Sequence, residues 1–284
     1  MRLRLPRWLR RLAFVTVPLL CFLYIASCTT PPALPAGVHK EVWRLTLNGE
    51  HVTTTFYYPA ARTPAPIVVV AHGFTRSKRY MAGWGTLLAR EGFIAAVLTQ
   101  PALADHELNS RVIADLVTQV RSGSLALKVK PSGRIGLMGH SMGGLTTLLA
   151  AGKQPVDAWV GLDPVGMNDS WLSMGKKLRT PCAVLRAEPG AWNMNGNARP
   201  LFAVLPGPKF TMKVRGSTHL DPESPTDVLG QLACGFADEK RRAVFERYAV
   251  AFLKAHLLDD ASAKQVLRDA AKDSALTEVE VSLP

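Results

Sequence analysis

The chain has 284 residues, 48% of them hydrophobic, and a formal net charge of +12. That length supports one sizeable core, and no internal repeat interrupts it. The Lys and Arg residues are scattered apart from Lys240-Arg241-Arg242, with no basic stripe interleaved with aromatics, which argues against a nucleic-acid partner.

The first elements concern export. Arg2, Arg4, Arg7, Arg10 and Arg11 precede an apolar run from Leu12 to Ser27 that contains Pro18. A charged start, an apolar middle and small residues at the end describe a secretory signal, and the run is short of the roughly 20 apolar residues of a spanning helix. Its end, Ile25-Ala26-Ser27-Cys28, resembles the bacterial lipobox, and Thr29 to Pro35 reads as a tether. That resemblance implies cleavage before Cys28, diacylation of its thiol, and an exported lipoprotein of the bacterial envelope. Removing residues 1–27 takes away five positive charges and no acid, so the net charge falls from +12 to +7. Cys182 and Cys234 then remain; a disulfide between them and two separate thiols are both open, and no metal-ligand spacing ties them to histidines.

Further along, Val42–Leu47 and Val52–Tyr58 flank Asn48-Gly49-Glu50, a hairpin signal. Ile67–Ala71 is a continuous apolar run of the kind found in a doubly covered parallel strand. Trp84–Arg90 reads as a helix, Phe93–Leu98 as a strand, and Leu108–Arg121 as a helix with apolar residues at 3.6 spacing. Strands are expected at Arg134–Met138, Ala158–Leu162, Cys182–Leu185 and Phe210–Val214, with a helix over Glu239–Leu257. The last two dozen residues read as a short helix and strand or as a frayed tail. Strands alternating with helices after a hairpin predict an α/β class fold: an open, mostly parallel sheet with helices on both faces and its site beyond the carboxyl strand ends.

Three of those strand ends carry chemistry. Gly139-His140-Ser141-Met142-Gly143 stands between a strand and the helix-like Gly144–Ala151, the context of a nucleophile elbow. Side chains at Gly139 and Gly143 would collide with the neighbouring strand and helix, and the turn lifts the Ser141 hydroxyl clear. The Met142 amide opens a helix, where N–H groups have no internal partner and favour negative charge. Asp163 ends the strand after the elbow helix; a buried acid there needs something to hold, such as a histidine N–H, although Asp163-Pro164 also suits a simple turn. His219 lies in Gly216-Ser217-Thr218-His219, beyond the last expected strand, with His106 as its rival among seven histidines. Ser141, Asp163, His219 is the Ser, acid, His order of the α/β-hydrolase scaffold.

From about Ile67 to Leu257 the chain resembles α/β-hydrolases of the group containing chlorophyllases, platelet-activating-factor acetylhydrolases and cutinase-like enzymes. The matching stretches are Gly139–Gly144, Leu162-Asp163-Pro164-Val165 and Gly216–His219. The resemblance implies an oxyanion loop at His72-Gly73-Phe74, with the Phe74 and Met142 amides as donors and His72 structural. In chlorophyllases and acetylhydrolases the acid follows the strand after the elbow, which matches Asp163. In cutinase-like enzymes it follows the next strand, where this chain has Glu188, the reserve acid. The expected organisation is a signal peptide over 1–27, a tether over 28–38, the hydrolase domain over 39–258 and a C-terminal extension over 259–284.

Only 18 residues separate Asp163 from Cys182, too few for a large lid, so the cleft should be open. The stretch Glu188–Pro208, rich in Gly, Asn and Pro and carrying Trp192, Met194 and Phe202, reads as a long loop that either walls the substrate site or is a solvated surface loop. No phosphate loop, dinucleotide fingerprint or metal cluster appears, so no cofactor or metal is expected. The reading is a monomeric serine carboxylic-ester hydrolase acting on a small-molecule or lipid-like ester. An acyltransferase or thioesterase with the same triad, and a non-catalytic lipoprotein using the fold for binding, are the alternatives.

Overall fold

The computed structural model describes residues 34–283 apart from Arg62 and Asn168. The signal, Cys28 and the first part of the tether lie outside the described residues. The expected hairpin forms as β1 (His39–Leu47) and β2 (Glu50–Tyr58), paired antiparallel. Its tight turn needs left-handed backbone, which Asn48 (φ 49°) and Gly49 (φ 80°) adopt. The apolar runs become β3 (Ala65–Ala71), β4 (Ile94–Leu98), β5 (Pro131–His140), β6 (Ala158–Leu162), β7 (Cys182–Arg186) and β8 (Lys209–Val214), all parallel to one another. A final β9 (Leu276–Ser282) returns antiparallel along β8. One nine-stranded sheet results, in the order β1-β2-β4-β3-β5-β6-β7-β8-β9.

Every residue of β3 is buried because helices cover both faces. Ile67, Val69 and Ala71 pack with α2 (His106–Ser122), α3 (Met142–Ala151), α4 (Ser170–Lys177) and α5 (Ala198–Val204). Val68 and Val70 point the other way, toward α1 (Ala82–Arg90), α7 (Glu239–Leu257) and α8 (Ala261–Arg268). Burial of each Ile or Val contributes roughly 1.5–3 kcal/mol, and period-two alternation divides it between the two faces.

Several elements depart from expectation. The residues from 259 onward are not an extension beyond the domain: Ala263, Leu267, Ala270 and Leu276 are buried in the same core, and β9 covers the edge of β8. The stretch Glu188–Pro208 is not an extended loop. It holds a 3-10 turn at Ala191–Asn193 and α5, whose Leu201 and Phe202 enter the core. A short α6 (Val228–Cys234), with no buried residue, follows the His219 loop. Cys182 opens β7 at the amino end of the sheet, whereas Cys234 closes α6 beside the carboxyl end. Both are free thiols, so no disulfide joins them.

Candidate active site

The elbow is built by sterics. Ser141 takes φ 55° and ψ −126°, a conformation that L residues rarely hold without support. A Cβ on Gly139 would lie 2.1 Å from the Gly143 carbonyl oxygen, and one on Gly143 would lie 2.4 Å from that of His72. Glycine at both positions therefore lets β5, α3 and the end of β3 converge around the serine. The Ser141 amide donates to Leu162 O, and its carbonyl accepts from Gly144 and Val165, which fixes the turn from both sides.

Beyond three neighbouring strand ends the side chains meet in a line. Ser141 Oγ is 2.9 Å from His219 Nε2, and His219 Nδ1 is 2.6 Å from Asp163 Oδ2. Asp163 can only accept when ionised, so the proton of this bond sits on Nδ1. That leaves the Nε2 lone pair facing the serine hydroxyl. Asp163, 1% exposed and itself at a positive φ of 41°, also accepts from the Ala187 amide at 3.0 Å and from Asn193 Nδ2 at 3.1 Å. These donors satisfy a buried carboxylate that would otherwise be costly.

Asn193 was not anticipated. It lies in the 3-10 turn, and nothing in the local pattern distinguishes it from the other asparagines of that stretch. Glu188 stands elsewhere: Oε1 accepts from the Gly216 amide at 3.2 Å and Oε2 meets Lys213 Nζ at 2.8 Å. It braces the loop that carries His219 and does not touch the imidazole. His106 lines the cleft without joining the line, and burial lowers its pKa. His72 donates from Nδ1 to Gly73 O and accepts at Nε2 from Gln100 N, as a neutral, structural histidine does. Phe74 and Met142 border the same cavity as Ser141, one following β3 and one opening α3.

A sequence profile of the PET hydrolase-like family matches residues 38–282. The chain belongs to that family. Cutinase 2 of Thermobifida cellulosilytica is 28% identical over 237 residues, covering 80% of this chain and 81% of the relative. Bis(hydroxyethyl) terephthalate hydrolase of Streptomyces coelicolor is 27% identical over 220 residues, 75% of this chain and 64% of the relative. Cutinase est2 of Thermobifida alba is 25% identical over 236 residues, with 80% and 71% covered. The PET hydrolase-like chain is accordingly a serine carboxylic-ester hydrolase.

The cleft of this PET hydrolase-like protein encloses about 850 Å³. Its walls are mainly apolar: Phe74, Val165, Met167, Trp192, Met194 and Leu229. Trp192 stands half exposed on one wall, and its indole N–H donates to Ala233 O of α6 at 2.5 Å across the rim. Phe202 does not join it, being buried behind in the core. Below the His72-Gly73-Phe74 loop lies a charged layer that the sequence did not reveal. Arg76 forks onto Glu223, with Nε–Oε1 2.8 Å and Nη2–Oε2 2.5 Å, and its Nη1 meets Asp227 at 2.6 Å.

Proposed function

We propose that Ser141 is the nucleophile, His219 the base and Asp163 the orienting acid of carboxylic-ester hydrolysis. The observation that carries this reading is the unbroken line Ser141 Oγ, His219 Nε2, His219 Nδ1, Asp163 Oδ2. His219 Nε2 takes the hydroxyl proton as Ser141 Oγ attacks the ester carbonyl carbon. The carbonyl oxygen becomes an oxyanion facing the amides of Phe74 and Met142, each such donor being worth about 10²–10³ in rate. The imidazolium, held by Asp163, gives its proton to the departing alcohol. Water, deprotonated by the same nitrogen, then releases the acid from Ser141.

An open, apolar-walled cleft of about 850 Å³ suits an ester with a bulky apolar side. The two kinds of relative, cutinases and a bis(hydroxyethyl) terephthalate hydrolase, support the same substrate class. Attachment to the bacterial envelope through Cys28 completes the proposal. β1 starts at the amino end of the parallel strands, so the tether joins the domain opposite the cleft, and the site would face away from its own membrane.

A panel of p-nitrophenyl esters of increasing acyl length, run on wild type and Ser141→Ala, tests the chemistry. Hydrolysis is expected to need Ser141, and a fluorophosphonate probe should label that residue alone. An unlabelled Ser141 in folded protein would end the reading. Product analysis with an added alcohol separates hydrolysis from acyl transfer. Cys28→Ser should accumulate uncleaved precursor, and unchanged processing would remove the anchor from the proposal.

A further inference from the structure

The charged layer under the oxyanion loop has no part in the triad, yet it touches both loops the triad depends on. Arg76 belongs to the oxyanion loop, its amide bonded to Gly73 O at 3.2 Å, next to Thr75 at φ 56°. Glu223 and Asp227 belong to the chain after His219, and Asp227 caps α6 by accepting from Gly230 N at 2.7 Å. The two-pronged contact of Arg76 with Glu223 is the geometry of an ionised carboxylate. The Glu223 side chain is 1% exposed and that of Arg76 14%. Tyr80 lies under the guanidinium, 3.5 Å from its ring centroid, and also bonds Asp227.

The layer reaches the base through His140. His140 Nε2 donates to the His219 carbonyl at 2.8 Å, so its Nδ1 carries a lone pair and faces Glu223 Oε1 at 3.6 Å. The rings of His140 and His219 lie 4.8 Å apart. Burial, then the neighbouring His219, holds His140 well below the ordinary histidine pKa, so it stays a neutral spacer. Burial raises the pKa of Glu223, and Arg76 opposes that rise. The groups facing this layer are thus Arg76, Tyr80, Asp227, His140 and, beyond it, His219 and His72, with Cys234 at the rim.

Building on the triad reading, we propose that Glu223 is a positioning residue for the His219 base. Held by Arg76, it fixes the His219 loop against the oxyanion loop and places a second buried negative charge behind the imidazole. Asp163 orients one edge of the ring by direct contact. Glu223 acts through the low-dielectric interior on the cation that forms there during attack. Arg76 has two tasks, keeping that carboxylate ionised and tying Phe74 to the same frame.

The test compares Glu223→Gln, Arg76→Lys and Asp227→Asn with wild type on one soluble ester. Glu91→Gln, which breaks an ion pair with Lys254 of α7 at the amino end of β4, serves as a control for stability alone. Glu223→Gln removes the charge and keeps the shape: kcat should fall about tenfold with KM little changed, and the acidic limb of kcat/KM should move down by about half a pH unit. Arg76→Lys keeps the charge and loses the fork, so kcat should fall several-fold with the limb unmoved. Asp227→Asn removes a more distant charge and should move the limb the same way by less. The control should change neither kcat nor the limb. Should Glu223→Gln not fold, the opposite behaviour of the Arg76 and Asp227 variants still decides. An unmoved limb in the Glu223 and Asp227 variants, or equal losses in the control, would overturn the inference. If wild type neither labels at Ser141 nor cleaves any ester, the triad reading fails instead.

Discussion

β6 and β7 are neighbouring parallel strands of equal length, and each delivers a carboxylate within a few residues of its end. Asp163 turns inward at a positive φ, is 1% exposed, and meets His219 at 2.6 Å. Glu188, two residues beyond β7, turns along the surface to Lys213 and Gly216. The β7 end still serves the site, but with its backbone: the Ala187 amide donates to Asp163. An acid at a strand end therefore becomes a catalytic candidate only when the turn points it at the histidine and other donors stand ready to solvate it. The same carboxylate on the next strand becomes a brace.

That contrast can be broken or sharpened from either side. Ser141→Ala sets the floor for both, and a loss on the order of 10⁶ in kcat is expected, measured by ester turnover. Asn193→Ala removes a donor from the Asp163 carboxylate and from the Glu188 backbone carbonyl, and leaves the Glu188 carboxylate with its own partners. A hydrogen bond to a buried carboxylate is worth about 1.5–3 kcal/mol, so activity should fall about tenfold or more, with kcat taking most of the loss. An Asn193→Ala enzyme with wild-type kcat would show that Asp163 needs only His219 and Ala187.

On the other side, Lys213→Met frees Glu188 and should change turnover by no more than about threefold, while lowering the thermal midpoint. The ion cluster there also predicts a pH dependence. Lys213, then Arg186, lowers the Glu278 carboxyl to about 2 from its ordinary value of 4.5. A depressed acid stabilises the fold above its unfolded value, and this contribution is lost as pH falls from about 4.5 toward 2. Thermal scans across that window should show a shallower decline for Glu278→Gln than for wild type. Parallel curves would mean that this half-exposed cluster contributes nothing.

Much of this was legible in the sequence, for identifiable reasons. The elbow could be read because its glycines have no substitute at such close approach, and β3 because seven buried residues leave an unbroken apolar run. Asp163 and His219 could be read because the scaffold uses strand ends in a fixed order. Asn193, α6 and the Arg76–Glu223–Asp227 layer could not, since their partners lie far away in the chain: Arg76 and Glu223 are 147 residues apart. α6 also buries no residue, so it leaves no apolar stripe to detect. The end of the chain was legible as a short helix and strand but not as part of the domain, because β9 lies along an edge and exposed residues such as Glu278 and Glu280 read as tail.

The central claim is that Asp163, and not Glu188, serves His219. One ester assay on Asp163→Asn and Glu188→Gln, with Ser141→Ala alongside, tests it most directly. An acid that holds the imidazole tautomer is worth on the order of 10⁴ in turnover when neutralised without a change of shape. Asp163→Asn should therefore drop by about that factor. Its thermal midpoint should stay near that of wild type, since the amide still fills the same space. Glu188→Gln should stay within about threefold of wild type, since the group it loses touches Lys213 and Gly216 rather than the imidazole. Turnover at the Ser141→Ala floor in Glu188→Gln, with Asp163→Asn still active, would contradict the assignment and place the acid at the end of β7.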